Sequence, residues 1–324
     1  MQAGMTLLCA SVVVWSLLLL APGDTAERVL IAGGESNPTT AEIAQERMQL
    51  GLSGPPWSRY IEWLVRALHG DLGQSWLTGR PVTSELGDRL PATARLAVTA
   101  LVLAIALSLI LAILSAMAPG RLPDWLSRIA SLLMISTPNF VLGVVLLDIV
   151  VIRLGFSRVL TDGTWSTVLL PAVCLALAPA AIWSRVLRAS LLEARGAAYL
   201  HVSAARGASR TRQLIVHALP NALVPFLTVI GVGTAGFLAG APVVETVFTW
   251  PGIGRYTVEA INARDVPIVQ GYTLLAVFTF VIVSLVVDIA VRLIDPRRQP
   301  GVQTSQQRRR GAGAEAVVRI REAQ

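Results

Sequence analysis

Of 324 residues, 54% are hydrophobic and 15% charged, against roughly a quarter charged in soluble domains, so the chain cannot cover a water-facing surface and must take lipid as its solvent. The formal charge is +7, and all 27 basic residues are arginine. The lack of lysine excludes a P-loop, whose lysine must reach the nucleotide phosphates, and a Schiff-base lysine.

The first apolar run covers 5–21 and is closed by Pro22-Gly23-Asp24. No basic residue precedes it and no small-x-small cleavage site follows, so residues 1–21 are expected to be a retained first span rather than a signal peptide. Residues 22–92 form a long polar stretch, expected to be an external loop region. Within it, Trp57 to Leu64 places apolar residues at helical spacing, the pattern of an amphipathic helix, and its Trp and Tyr residues suit the headgroup level. Five further apolar runs follow at about 93–117, 127–152, 168–192, 221–244 and 272–294. Each is long enough at 1.5 Å per residue to cross a core of about 30 Å. Pro91, Pro119-Gly120, Pro123 and Pro220 punctuate the runs as helix breakers. The expected fold is therefore an all-α integral membrane protein with about six transmembrane helices: a five-span core over 93–294 and a polar tail over 295–324 whose composition predicts disorder.

Arginine placement orients the spans. Segment 185–220 carries Arg185, Arg188, Arg195, Arg206, Arg210 and Arg212 against Glu193 alone, and the tail carries seven arginines against three acids, whereas 22–92 holds nine acids and six arginines. The positive-inside tendency then puts the 193–220 loop, the tail and both termini in the cytoplasm. The basic excess is accounted for by the membrane; Arg308-Arg309-Arg310 reads as part of a solvated tail, with contact to anionic lipid as the alternative, and no nucleic-acid partner is expected. Cys9 and Cys174 lie in apolar runs and read as small core residues; no metal or cofactor site is expected, and His69 near Asp71 does not make one.

The segment 193–220 exceeds the roughly 2–8 residues of ordinary helix–helix connections. Residues 199–206 favour a helix, Gly207 can stop it, and 210–219 can form a second. Ala204, Ala205 and Gly207 offer a small-residue surface for close approach by another protein; an unpartnered surface helix pair is the alternative. The run "RASLLEARGAAYLHVSAARGASRTRQLIVHALPNALVPFLTVIG" resembles the conserved cytoplasmic loop of ABC-importer permeases, in which a glycine precedes an Ile-x-Leu-Pro element by nine residues. Here Gly207 is followed by nine residues and then His217, Ala218, Leu219 and Pro220; His217 stands for the isoleucine and His201 for a glutamate. Both departures are similar to the dipeptide, oligopeptide and nickel permease branch. So are "LLLLAPGD" (17–24), "GDLGQSWLTGRPVTSELGDRLPATARLA" (70–97), "ETVFTWPGIGR" (245–255), "NARDVPIVQG" (262–271) and "DIAVRLIDPR" (288–297).

The resemblance implies a permease subunit in a bacterial cell membrane, importing peptides or a related small solute such as a nickel chelate. It implies four kinds of partner: membrane lipid, a second homologous permease, two cytoplasmic ATPases that carry out hydrolysis, and an external substrate-binding protein. The chain itself would be no enzyme and would have no catalytic residue. The coupling loop would comprise Tyr199, His201, Ala204, Ala205, Arg206, Gly207, Ala208, His217, Leu219 and Pro220.

Two weaker features concern the pathway. Thr137-Pro138-Asn139 can kink the third span and free backbone carbonyls where a solute passes, or serve as a packing kink. Asp148 can line the pathway or pair with Arg153. Asp288 and Arg292, spaced i,i+4, read as a structural pair. An ion-driven secondary transporter or channel is the alternative, but it calls for clustered buried acids and interrupted helices in related halves, and no internal repeat is visible.

Overall fold

The computed structural model describes residues 2–20, 23–155 and 161–294. Among them every regular element is helical, and the only β-type pairing is an isolated bridge between Gln74 and Pro81. The expected tail, and the side chains of Asp288 and Arg292, lie outside the described residues.

Helix α1 (Gln2–Leu20) is apolar on every side. Three short helices follow, each started by a local device. Asp24 caps α2 (Thr25–Ala32) by accepting the Ala26 amide at 3.0 Å. Thr39 and Glu42 close a reciprocal capping box on α3 (Thr40–Gln49), and α4 (Pro56–Leu68) opens on a proline that has no amide to leave orphaned. A hydrogen bond of 2.8 Å between Ser11 and Tyr60 ties α4 to the flank of α1.

The helix expected over 93–117 is α5 (Val82–Met117), and it begins well before that run, with Pro91 inside it. Its polar outer turns are held by buried Glu85, which accepts from Thr78 at 3.0 Å and from Arg80 and Arg89. At 1.5 Å per residue α5 is about 54 Å long, so one end stands well outside the hydrocarbon.

The third apolar run is not a straight span. Helix α6 (Leu122–Ser136) and the stretch from α7 (Asn139–Leu146) through a π-helix (Leu147–Arg153) meet at an angle of 105°. Pro138, the N-cap of α7, withholds an amide at the break, and Gly143 beyond it lies so close to Val247 that a Cβ would come within 2.9 Å. The chain then runs through α8 (Leu169–Arg195), α9 (Ala198–Ala205), a single turn α10 (Arg210–Arg212), a second π-helix (Gln213–Ala218), α11 (Leu219–Val247), α12 (Ile253–Ala263) and α13 (Val266–Ile294). By length and composition four of the described helical stretches can cross a membrane, or five if the bent pair is one span.

The core lies where α5, α8 and α11 meet. Along α5 a small residue recurs every four positions (Ala100, Ala104, Ser108, Ala112, Ala116), and all five are buried. Such a stripe lets helices approach closely in lipid, where dispersion contacts rather than water exclusion drive association. Trp183 of α8 fills the wider gap, edge-on to Phe237 at 6.0 Å, and Gly233 accommodates it: a Cβ there would sit 2.6 Å from the indole nitrogen.

At the end bearing α2, α3, α4 and α12, two buried carboxylates organise the surface. Glu245, at the end of α11, accepts from Thr93 at 2.7 Å and from the Arg255 amide at 2.9 Å, so its charge faces the N-terminus of α12. Gly252 is required beside it, since a Cβ would lie 2.2 Å from the Glu245 carboxylate. Asp265, between α12 and α13, accepts from the Ser75 hydroxyl and, at 3.1 Å, from the Trp76 amide. Burial pushes its carboxyl above the usual carboxylate range, partly offset by those donors.

Candidate coupling site

Helix α8 ends at Arg195, and after Gly196 the chain turns into α9. Leu200 is buried against the main core together with Leu214, Ala218, Leu187 and Leu191, which fixes α9 to the bundle by its inner face. Ala204, Ala205, Arg206 and Gly207 are exposed, and Ala208 is half-buried. Tyr199 and His201 lie on α9; their side chains lie outside the described residues.

Gly207 ends the helix in a left-handed conformation, φ +82°. Its amide donates to the Ala204 carbonyl at 2.9 Å and the Ala208 amide to the Ser203 carbonyl at 3.2 Å. This is the double-bonded Schellman ending, which satisfies two carbonyls that a frayed helix would leave bare. A Cβ on Gly207 would meet nothing within 4 Å. The constraint on this residue inside the chain is therefore purely the backbone angle, and the space over it is open.

Beyond the turn, Ser209 caps the next helix by accepting the Arg212 amide, and the Gln213 side chain donates to the Ala208 carbonyl at 2.7 Å. Sequence reasoning expects a second loop helix over 210–219, with Pro220 marking where the next span begins. The helix forms, but it is continuous with the span: Arg210–Arg212, the π-helix and α11 follow without a break. Proline at 220 lacks an amide for an i→i−4 bond, and the wider π turns just before it re-space the carbonyls, so Pro220 is absorbed rather than acting as a stop. His217 lies half-buried in the π turns, where its carbonyl accepts from Asn221 at 2.9 Å; Leu219 packs on the core and Pro220 is exposed. The 210–218 stretch and the following span thus form one continuous helix, with α9 set off from it by the Gly207 turn.

Two arginines counted as loop charges, Arg185 and Arg188, lie within α8. Arg188 makes a two-pronged pair with buried Asp124 of α6, Nε to Oδ1 at 2.8 Å and Nη2 to Oδ2 at 2.9 Å, and its Nε also lies 2.6 Å from Ser115 Oγ of α5. Ser115 also donates to Asp124, as does the Gly120 amide at 2.9 Å. This clamp locks α5, α6 and α8 about two turns before the end of α8. Sequence inspection misses it because its members are 64 and 73 residues apart in pairs; the only signal is an acid, Asp124, beside Pro123 at the head of an apolar run.

The pathway candidates are separated from this loop. Thr137 donates to the Leu133 carbonyl at 2.8 Å, closing α6; Pro138 caps α7; and the Asn139 carbonyl accepts from Cys174 at 3.3 Å. Asp148 pairs with Arg153 at 2.8 Å, both exposed on this chain.

The described residues thus form an all-helical membrane protein with a short, glycine-terminated helix, α9, packed on the bundle through Leu200. Residues 108–300 match the family described as the inner membrane component of binding-protein-dependent transport systems, and the chain belongs to that family, the ABC-importer permeases. It is 35% identical over 291 residues to the glutathione transport system permease protein GsiC of Escherichia coli O6:H1, covering 90% of this chain and 94% of that one. The Shigella dysenteriae GsiC matches at the same identity and coverage. A solved structure described as inward-facing conformations of the MetNI methionine ABC transporter aligns with TM-score 0.50 and 17% identity, over 66% of this chain and 94% of that chain, a likeness of fold.

Proposed function

We propose that this permease couples closure of two cytoplasmic ATPases to alternating access of a pathway it forms with a second homologous permease. The observation that carries this reading is the ending of α9 at Gly207: an exposed, small-residue helix end, anchored by Leu200 and joined through a short turn to a helix that runs unbroken into a membrane span. A helix so fixed transmits a push as a rigid body. Arg206, Arg210 and Arg212 surround it, so the matching ATPase surface is expected to be acidic. An external binding protein delivers the solute, and the likeness to GsiC favours a peptide-like one such as glutathione. Thr137, Pro138, Asn139 and Asp148 stay assigned to the pathway, on the support of the 105° break, where Pro138 offers no amide.

Proteoliposomes test the energy source. The purified permease alone is expected to hydrolyse no nucleotide, and solute uptake is expected only with ATP, both ATPases and the binding protein. Uptake driven by an ion gradient without ATP overturns the proposal.

The arginine distribution supports cytoplasmic placement of the coupling loop and both termini, with 22–92 outside. In a Cys9→Ser background, a cysteine at exposed Ser36 is expected to react with an impermeant maleimide from outside, and one at exposed Thr211 only after permeabilisation. Reaction of both from one side refutes this orientation.

A further inference from the structure

Two arginines on adjacent membrane helices, Arg128 of α6 and Arg185 of α8, are exposed, and no ion pair among the described residues includes either. We propose that together they hold the phosphate of an anionic phospholipid of the cytoplasmic leaflet, phosphatidylglycerol being the simplest form.

The packing of α6 on α8 brings the two together. The helices run antiparallel, since Asp124 pairs with Arg188 at 2.8 Å and Ser131 Oγ lies 3.2 Å from Ser184 Oγ. Arg128 lies between Asp124 and Ser131, and Arg185 between Ser184 and Arg188, so both arginines stand at one level of the seam. Each is also one step of about 100° past a buried serine, Ser127 on α6 and Ser184 on α8. In antiparallel helices equal steps turn both side chains to the same flank of the seam. Packed helices lie about 8–10 Å apart, a gap that two long guanidinium side chains can close on one phosphate. The nearby carboxylate does not serve them: Asp124 is buried and already accepts from Arg188, Ser115 and the Gly120 amide. Two like charges therefore share one flank uncompensated, and an anion between them relieves the repulsion.

The depth of the pair fits a headgroup, on the reading that this end of the bundle is cytoplasmic. Arg128 stands six residues into α6, about 9 Å from its start, and Arg185 sixteen residues into α8, about 24 Å along a span whose hydrocarbon is about 30 Å thick. Both counts put the arginines just inside the cytoplasmic boundary, where a guanidinium reaches the phosphates by extending its stem along the apolar surface. On α6 the exposed residues Arg121, Trp125, Arg128, Leu132 and Ile135 recur at helical spacing. Arg121 and Trp125 lie on the cytoplasmic side of Arg128, as interfacial anchors do. Toward the bilayer centre the same flank continues through Leu132, Ile135 and, on α8, Ile182, which are 59, 37 and 47% exposed. A solute path would call for polar groups there; an apolar continuation suits acyl chains. Basic sites between helices at the cytoplasmic side are where anionic headgroups bind.

Native mass spectrometry of the detergent-solubilised importer complex tests this without relying on transport. Added dioleoyl phosphatidylglycerol is expected to be retained about tenfold better than dioleoyl phosphatidylcholine, the effect of one charge-assisted hydrogen bond, and soluble glycerophosphoglycerol is expected to bind far more weakly. Arg128→Gln with Arg185→Gln removes two exposed charges that pair with no acid among the described residues, so the clamp and core are left intact. This double variant is expected to lose the tenfold preference, with each single change in between. Arg66→Gln, on exposed α4, removes one charge elsewhere and is expected to leave the preference unchanged. Equal retention of the two lipids by the wild-type complex overturns anion recognition. Equal binding of the soluble headgroup overturns the membrane as its source. An unchanged preference in the double variant overturns the site, and an equal loss in Arg66→Gln overturns it in favour of overall charge. Dissociation of a partner subunit from the double variant, with lipid retention unaltered, overturns it in favour of a protein contact. Failure of uptake alone bears on the permease reading and leaves these outcomes unaffected.

Discussion

Replacing Gly207 by arginine is expected to cut ATP-driven uptake more than tenfold while the subunit still inserts and assembles in near-normal amount. Inside the chain the substitution has a small cost. A side chain at φ +82° meets no atom within 4 Å, leaving only the left-handed backbone penalty of roughly 1–2 kcal/mol. Most of the damage is therefore expected to come from outside the chain, where the arginine holds the ATPase surface away from α9. Alanine carries the same backbone penalty with a single methyl, and asparagine tolerates the left-handed conformation well. The expected order of uptake is wild type, then Gly207→Asn and Gly207→Ala near it, then Gly207→Arg far below. ATPase activity in the arginine variant is expected to stop responding to loaded binding protein. Equal losses in alanine and arginine variants would assign the effect to the turn; wild-type uptake in the arginine variant would remove the coupling role of this loop.

That glycine was legible because its signal is local: a helix-forming stretch, a glycine, then Ser209 as a cap. The helix α4 was legible for the same reason, but which apolar face is buried was not: Trp63 is buried while Trp57 and Ile61 are exposed, a choice made by packing against α1. Boundaries failed where tertiary contacts override the local pattern. The outer turns of α5 are polar and contain Pro91, so they read as loop; Glu85, Arg80 and Arg89 hold them helical through side chains the apolar count ignores. Thr137-Pro138 announced a bend, but an angle of 105° depends on what α7 packs against, here Val247 and Phe248 beside Gly143. Pro220 marked a helix start only on the assumption of α-helical spacing, which the π turns before it break. Glu245 and Asp265 sit in motifs that were recognised, yet their partners Thr93 and Ser75 lie 152 and 190 residues away, a separation no spacing rule reaches.

The same blindness applied to Arg188, and its loss is expected to be the most damaging single change to stability. Arg188→Ala leaves Asp124 buried with its charge uncompensated by any cation, while Ser115 and the Gly120 amide remain as neutral donors. Breaking a buried pair from one side typically costs about 3–5 kcal/mol, a large share of a stability of roughly 5–15 kcal/mol. Membrane abundance of Arg188→Ala is accordingly expected to fall severalfold, with a lower midpoint in thermal unfolding of the detergent-solubilised complex. Lysine restores charge but not the two-pronged geometry, because its single ammonium cannot span both carboxylate oxygens as the guanidinium does, so Arg188→Lys should fall between. The decisive variant removes both charges. In Asp124→Asn with Arg188→Met, the amide can still accept from Ser115 or Gly120 and the methionine refills the volume, so abundance should recover most of what the single change lost. If the clamp serves only to hold the helices together, uptake recovers with abundance. If it also stiffens the lever that ends in α9, the double variant regains abundance but not uptake per molecule, since uncharged packing no longer locks α8 to the α5–α6 turn in one geometry. Measuring uptake normalised to membrane content across the three variants separates those two roles, and a single Arg188→Ala protein as abundant and as stable as wild type refutes both.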